Sequence, residues 1–158
     1  MSKAFTSEET DVTDVVAPRA PLPPGTPNYV TRRGLTLLRA ERAELAANRA
    51  RAEADADVAA MHVLGARLAE LDERLASAEL VEGQPKDVVR FGATVTVAAT
   101  SGETRAYRIV GVDEADPTRG DVAFTSPIAR ALLGHEVGDE VQLRTPRGRE
   151  TLEIVAIA

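Results

Sequence analysis

The spacing of apolar residues divides the chain into a helical part and a strand-forming part. Residues 31–80 contain no proline, and the strong helix formers Ala, Leu, Arg and Glu predominate there. Apolar residues recur at alternating intervals of three and four, a heptad pattern typical of a coiled coil. The pattern runs through Met61, Leu64, Leu68, Leu71, Leu75 and Ala78, and Leu38 and Leu45 stand one heptad apart in the first half. We therefore predict helix from a cap at Thr31 to about residue 80.

Two arrangements of this helical segment are open. One unbroken helix of about 50 residues would be about 75 Å long and would need a partner chain to cover its apolar seam. Alternatively, the chain reverses near Arg51–Asp57 and its halves pack antiparallel. No glycine or proline marks a turn there. The weak stretch between the two seams, residues 47–60, consists almost entirely of alanine, arginine and acid, and it favours the hairpin.

Residues 82–158 have the β-branched runs and turn signals of short strands. We predict strands over 93–99, 107–112, 122–125, 141–145 and 151–157. A short helix, Pro127–Leu133, interrupts them: Ser126 is placed as its N-cap, proline occupies its first position, and Gly134 ends it. Several antiparallel strands with one helix over a face define an α+β fold.

The first 28 residues are predicted to be a disordered tail, acidic in its first half and rich in proline in its second. Such a segment buries too little apolar surface to offset the entropy of ordering it. The predicted organisation is therefore a tail over 1–28, a helical segment over 29–81 and an α+β domain over 82–158.

Composition and charge narrow the classes of function. Of 158 residues, 44% are hydrophobic but only 3% aromatic, so the core must be aliphatic. The net charge of −6 argues against strong binding to nucleic acid by the protein alone. There is no cysteine, which excludes disulfides and thiolate metal sites. No apolar run approaches the roughly 20 residues of a membrane span. We expect a soluble, cytoplasmic protein without membrane contact, metal or cofactor.

Four segments of the chain carry motifs that occur together in one known protein family. The clearest motif runs from Ser126 to Gly134 (SPIARALLG) and continues in Val137–Val141 (VGDEV). Two further segments agree, Phe91–Val97 and the stretch from Tyr107 to Asp116. Near the start, Tyr29–Gly34 is similar to the family's helix entry, with a threonine three residues before a glycine. Together these segments, which extend over about 130 residues, resemble the GreA/GreB family of factors that bind bacterial RNA polymerase.

The resemblance implies an N-terminal antiparallel coiled-coil hairpin followed by an FKBP-like domain. In the family, that domain docks at the rim of the polymerase secondary channel, and the hairpin enters the channel with acids at its tip. Those acids help to hold a Mg²⁺ ion, and backtracked RNA is then cut. On this basis we expect residues Ser126, Pro127, Ile128 and Arg130 to contact the polymerase, although helix capping also accounts for the first two.

The tip region departs from the family pattern. The family's Gly-Asp-Leu followed by Glu-Asn is absent, and the acids that remain are Glu53, Asp55 and Asp57. The segment is also about nine residues shorter per arm, which places the tip about 13 Å short at about 1.5 Å per residue. Since Mg²⁺ needs carboxylate oxygens at about 2.1 Å, no rotamer change recovers that distance. Alternatively, the three acids are simply solvated on an alanine-rich bend.

The resulting hypothesis is a monomeric, non-enzymatic regulator of elongation that binds the secondary channel without stimulating transcript cleavage. The alternative is a cleavage factor that uses the atypical tip acids. Two other classes stay open: a prolyl isomerase, suggested only by analogy of fold, and a coiled-coil assembly protein that covers its Met61–Ala78 seam with another chain.

Overall fold

The heptad segment folds as an antiparallel helical hairpin. In the computed structural model, which describes residues 19–83 and 86–158, helix α1 spans Arg32–Ala54 and helix α2 spans Val58–Ala76. Thr31 caps α1, as predicted, because its hydroxyl oxygen accepts a hydrogen bond from the backbone N–H of Gly34 at 2.9 Å. The reversal lies between the helices, inside the interval that the sequence indicated.

The seam between the two helices has a small core. Leu38 and Leu71 are buried together with Val30, and Leu35, Leu45 and Leu75 pack against them in part. Arg42, which occupies a position where a continuous seam would have an apolar residue, instead pairs with Asp72 of the opposite helix at 2.5 Å. The hairpin is therefore held by a short apolar seam that a cross-helix ion pair interrupts.

Two short strands close the base of the hairpin and were not predicted. Strand β1, Asn28–Val30, pairs in parallel with strand β2, Ala78–Leu80. Ala78, predicted as the last seam position of the helix, lies in β2 because α2 ends at Ala76. The side-chain amide of Asn28 donates to the carbonyl of Arg74 at 2.8 Å and so ties β1 to the end of α2.

The second half of the chain forms a five-stranded sheet in the order β5-β4-β3-β7-β6. Its strands are β3 (Thr94–Ala99), β4 (Thr104–Val110), β5 (Asp121–Ala123), β6 (Glu140–Thr145) and β7 (Gly148–Ile157). All neighbours are antiparallel except β4 and β5, which are parallel across a connection that contains the 3₁₀ turn Pro117–Arg119. Helix α3, Pro127–Leu132, contacts β5 and β6.

The core of this sheet unit is mainly aliphatic, as the composition requires. Its buried residues include Val95, Val97, Ile109, Leu132 and Ile154. A cluster of three aromatic rings from Tyr29, Phe91 and Phe124, with centroids 5.5–5.7 Å apart, links β1 to this core. The predicted α+β class is confirmed.

The prediction of disorder covers residues 1–28. Residues 1–18 of that range lie outside the described part of the chain. Residues 19–27 are described, and the first two contact the hairpin: Arg19 pairs with Glu41 of α1, and the carbonyl of Ala20 accepts a hydrogen bond from the guanidinium of Arg74 in α2. Among residues 19–83 and 86–158, no helix has the length and apolar character to cross a membrane.

Candidate partner-binding site

Helix α3 carries the first predicted contact surface, and an N-cap and two buried residues hold the helix in place. Ser126 caps it, since its hydroxyl accepts from the N–H of Ala129 at 3.3 Å, and Pro127 fills the first helical position. Ala129 and Leu132 are fully buried in the core of the sheet unit. The helix is short, but these two anchors on its inner side fix the direction of its outer side.

The four residues predicted on α3 have different surroundings. Pro127 and Arg130 are exposed, whereas Ile128 is half-buried and packs against the core. Arg130 forms no ion pair with any described residue. Its guanidinium is therefore available for a directional contact with an outside carboxylate. Ser126 and Ile128 act chiefly in holding the helix.

The tip of the hairpin carries the second predicted group, and its three acids have different local roles. Glu53 lies in the last turn of α1, and Asp55 is the residue that ends that helix. Ala56 adopts a left-handed conformation, with φ of 53°, which is uncommon for a residue other than glycine. Asp57 then caps α2 by accepting from the N–H of Ala60 at 3.0 Å.

All three tip acids are exposed to solvent. Asp57 is engaged in capping, so Glu53 and Asp55 are the carboxylates free to face a partner. Across the described part of the chain, no three His, Asp or Glu side chains gather where a metal ion could be held. The tip is thus an exposed pair of carboxylates beside a capping one.

A buried polar joint, which the sequence did not predict, fixes the hairpin to the sheet unit. The Glu114 side chain is only 1% exposed. Its carboxylate accepts a hydrogen bond from the Thr31 hydroxyl and forms an ion pair with the guanidinium of Arg33 at 3.0 Å. A β-carbon on Gly34 would lie 2.7 Å from a carboxylate oxygen of Glu114, so only glycine admits this approach. The threonine–glycine pair noted at the helix entry therefore serves both the cap and the joint.

A second set of charges braces the same joint from the N-terminal side. Arg19 pairs with Asp113 of the sheet unit and with Glu41 of α1, each at 2.5 Å. Asp113 also lies 3.5 Å from the guanidinium of Arg74, and that guanidinium donates to the carbonyl of Ala20. Sequence periodicity cannot predict such ion pairs, because the paired residues are far apart along the chain.

These features define a class of protein in which a helical hairpin with an acidic tip projects from a small α+β unit at a fixed joint. Its sequence matches the family described as "Transcription elongation factor, GreA/GreB, C-term" over residues 84–158. The match covers all five strands of the sheet and helix α3.

Individual relatives extend the match beyond that unit. The transcription elongation factor GreA of Hyphomonas neptunium is 46% identical over 96 residues, which are 58% of this chain and 60% of that protein. The GreA of Syntrophotalea carbinolica is 40% identical over 112 residues, 68% of this chain and 70% of the relative. The chain belongs to the GreA/GreB family of transcription elongation factors. The first of these matches spans only about three fifths of the relative's length.

Solved structures of the family are also similar. The GreA factor homolog 1 (Gfh1) protein of Thermus thermophilus is 26% identical, with 84% of this chain and 99% of that chain covered and a TM-score of 0.42. The GreA/GreB factor from Nitrosomonas europaea is 23% identical, with 82% and 98% covered and a TM-score of 0.44.

Proposed function

We propose that this elongation factor binds bacterial RNA polymerase at the rim of the secondary channel through residues 82–158, and that it acts as a regulator without stimulating transcript cleavage. The observation that carries the proposal is the contrast between its two candidate surfaces. Helix α3 is anchored by buried residues and offers Pro127 and Arg130 to the outside. The tip, by comparison, lacks the acidic motif expected of a cleavage factor.

The length of the hairpin supports the second part of the proposal. Helix α1 has 23 residues and α2 has 19, so the arms extend about 35 Å and about 29 Å at about 1.5 Å per residue. A short arm that places carboxylates inside the channel but away from the active-centre metal can still act electrostatically on its basic wall. It would also exclude a longer factor from the same channel.

Binding is tested with purified core RNA polymerase and the full chain. We expect Arg130→Ala to weaken the complex about tenfold, since a central arginine is a frequent hot spot. Arg105→Ala is the matched control, because Arg105 already pairs with Glu103 of the same unit, at 3.3 Å. Absence of binding by the unmodified protein would contradict the whole proposal. Equal loss with both variants would contradict the assignment to α3.

Cleavage is tested separately on backtracked elongation complexes with Mg²⁺. We expect no shortening of the transcript beyond that by polymerase alone. The exposure of Glu53 and Asp55 at the end of the hairpin favours the alternative, a cleavage factor with an atypical tip. Shortening that disappears with Asp55→Asn but persists with Asp57→Ser, which keeps a helix-capping oxygen, would establish that alternative and leave the docking proposal intact.

A further inference from the structure

The hairpin formed by β6 and β7 carries an unusual arrangement of charge on its outer face. In the register of these strands, Glu140 is opposite Glu153 and Arg144 is opposite Arg149, with the neutral pair Gln142 and Thr151 between them. We call these six residues the polarised face. The intervening residues Val141 and Leu152 are buried in the core, so the polarised face points away from it.

Both charged pairs are unfavourable within the isolated protein. Directly opposed side chains in an antiparallel ladder have Cα atoms only about 5 Å apart, and like charges there destabilise the sheet. The acidic and basic pairs are four residues apart, about 13 Å along the strand, which exceeds the Debye length of about 8 Å at physiological salt. The two pairs therefore do not neutralise each other.

Ion pairs within the described residues 19–83 and 86–158 do not neutralise the charges of the polarised face. None of Glu140, Arg144, Arg149 and Glu153 takes part in an ion pair there, and all four are exposed. The face also borders the edge of the sheet, because β6 is the outermost strand. The protein thus keeps two like-charge pairs open to solvent at a cost to its own sheet.

We propose that the polarised face is a second docking surface for RNA polymerase, and that it binds a protein surface of reverse polarity, acidic opposite Arg144 and Arg149 and basic opposite Glu140 and Glu153. The inference rests on the proposed function for its partner. It adds a contact that is separate from α3, and it assigns the face to orientation of the bound factor, since complementary charge fixes register as well as affinity.

The presence of both signs favours a protein over a nucleic acid as the partner. A phosphate backbone is negative throughout, so it would be attracted by the arginine pair and repelled by the glutamate pair about 13 Å away along the strand. A folded protein surface can present opposite charges at that spacing. The net charge of −6 further disfavours a polyanion.

The test uses two double variants of the full chain, Arg144→Ser with Arg149→Ser, and Glu140→Gln with Glu153→Gln. We expect each to weaken binding to core polymerase about tenfold and to reduce the dependence of affinity on salt. We also expect each to raise the melting temperature of the free protein, because a like-charge pair is removed. If a pair had only a structural role, its replacement would lower both the affinity for polymerase and the melting temperature. Arg119→Ser, which changes an arginine in the 3₁₀ turn beside β5, at the opposite edge of the sheet from β6, is the control.

Several outcomes would overturn the inference. If both double variants bind polymerase as the unmodified protein does, the polarised face is not a docking surface, while the proposed function stands. If the unmodified protein does not bind polymerase, both proposals fail. The variants are also titrated against a short single-stranded DNA and a DNA duplex. Loss of DNA binding in the arginine variant with unchanged polymerase binding would replace the protein partner by a nucleic acid.

Discussion

The hairpin and the sheet unit differ sharply in how each is stabilised. Within the described residues, the hairpin's core cluster contains three buried apolar residues, one of them from β1, whereas that of the sheet unit contains eleven. The hairpin therefore depends more on caps, ion pairs and its joint to the sheet unit. Because local stability increases with the number of buried apolar contacts, we expect the hairpin to unfold locally more readily than the sheet unit. The sheet unit, which carries the proposed docking surface, has the denser core.

The largest effect is expected from the dense core. Leu132 of α3 is fully buried, and Leu132→Ala should lower the free energy of unfolding by about 3 kcal/mol because it leaves a cavity. Leu68→Ala, a matched change at a half-buried seam position, should cost only about 1 kcal/mol. Urea denaturation measures both. Equal losses would show that the hairpin core is as well packed as the sheet core.

The joint should show the next largest effect. Glu114→Ala removes the acceptor shared by Thr31 and Arg33, and we expect a loss of about 2 kcal/mol, less than for a fully buried pair because Arg33 is partly solvated. Calorimetry should then resolve separate transitions for the hairpin and the sheet unit. Glu82→Ala, which breaks the solvent-exposed pair with Arg32, should leave the melting temperature essentially unchanged, because exposed ion pairs contribute little to stability. A single unaltered transition in Glu114→Ala would contradict the coupling.

The tip provides a smaller and more local test. Asp57→Ala removes the N-cap of α2 and should cost about 1 kcal/mol, while Asp57→Ser should cost only a few tenths. Hydrogen exchange should show faster opening of the first turn of α2 in the alanine variant, with the strands of the sheet unaffected. Similar exchange in both variants would mean that the cap contributes little.

The smallest effect concerns acid pH and the sheet unit. Hydrogen bonding from the backbone N–H of Glu136, aided by nearby His135, lowers the pKa of Asp139. A carboxylate with a lowered folded-state pKa stabilises the fold above its unfolded pKa of about 4, and that contribution is lost as the pH falls through the folded pKa. Asp139→Asn should therefore flatten the fall in melting temperature below about pH 4. An unchanged acid limb would contradict this.

The elements of the fold that could be predicted from sequence are those with a local chemical cause. Ser126, Pro127 and Gly134 bound α3 through capping and backbone restriction, and α3 ends within one residue of its prediction. Helix propensity and the heptad seam located both arms of the hairpin. Strands β1 and β2 could not be found this way, because three residues carry no periodicity and their pairing depends on two helices meeting first.

The candidate sites could likewise be predicted from sequence only where they have a local cause. Exposure of Pro127 and Arg130 follows from α3 being a helix with one buried side. The joint at Glu114 and the brace at Arg19 depend on residues brought together over more than 80 positions of sequence, and pattern alone cannot pair them. The polarised face needs the β6–β7 register, which only the three-dimensional structure supplies.

Because only the three residues Asp55–Asp57 join the helices, the length of the hairpin can be changed while its tip is kept. Because the arms are joined so tightly, inserting one heptad into each arm would keep the apolar seam in phase and carry the same acids about 10 Å further out. A graded series of such insertions would turn reach into an experimental variable. The distance at which a factor of this family begins to act on the transcript could then be measured in steps of two helical turns.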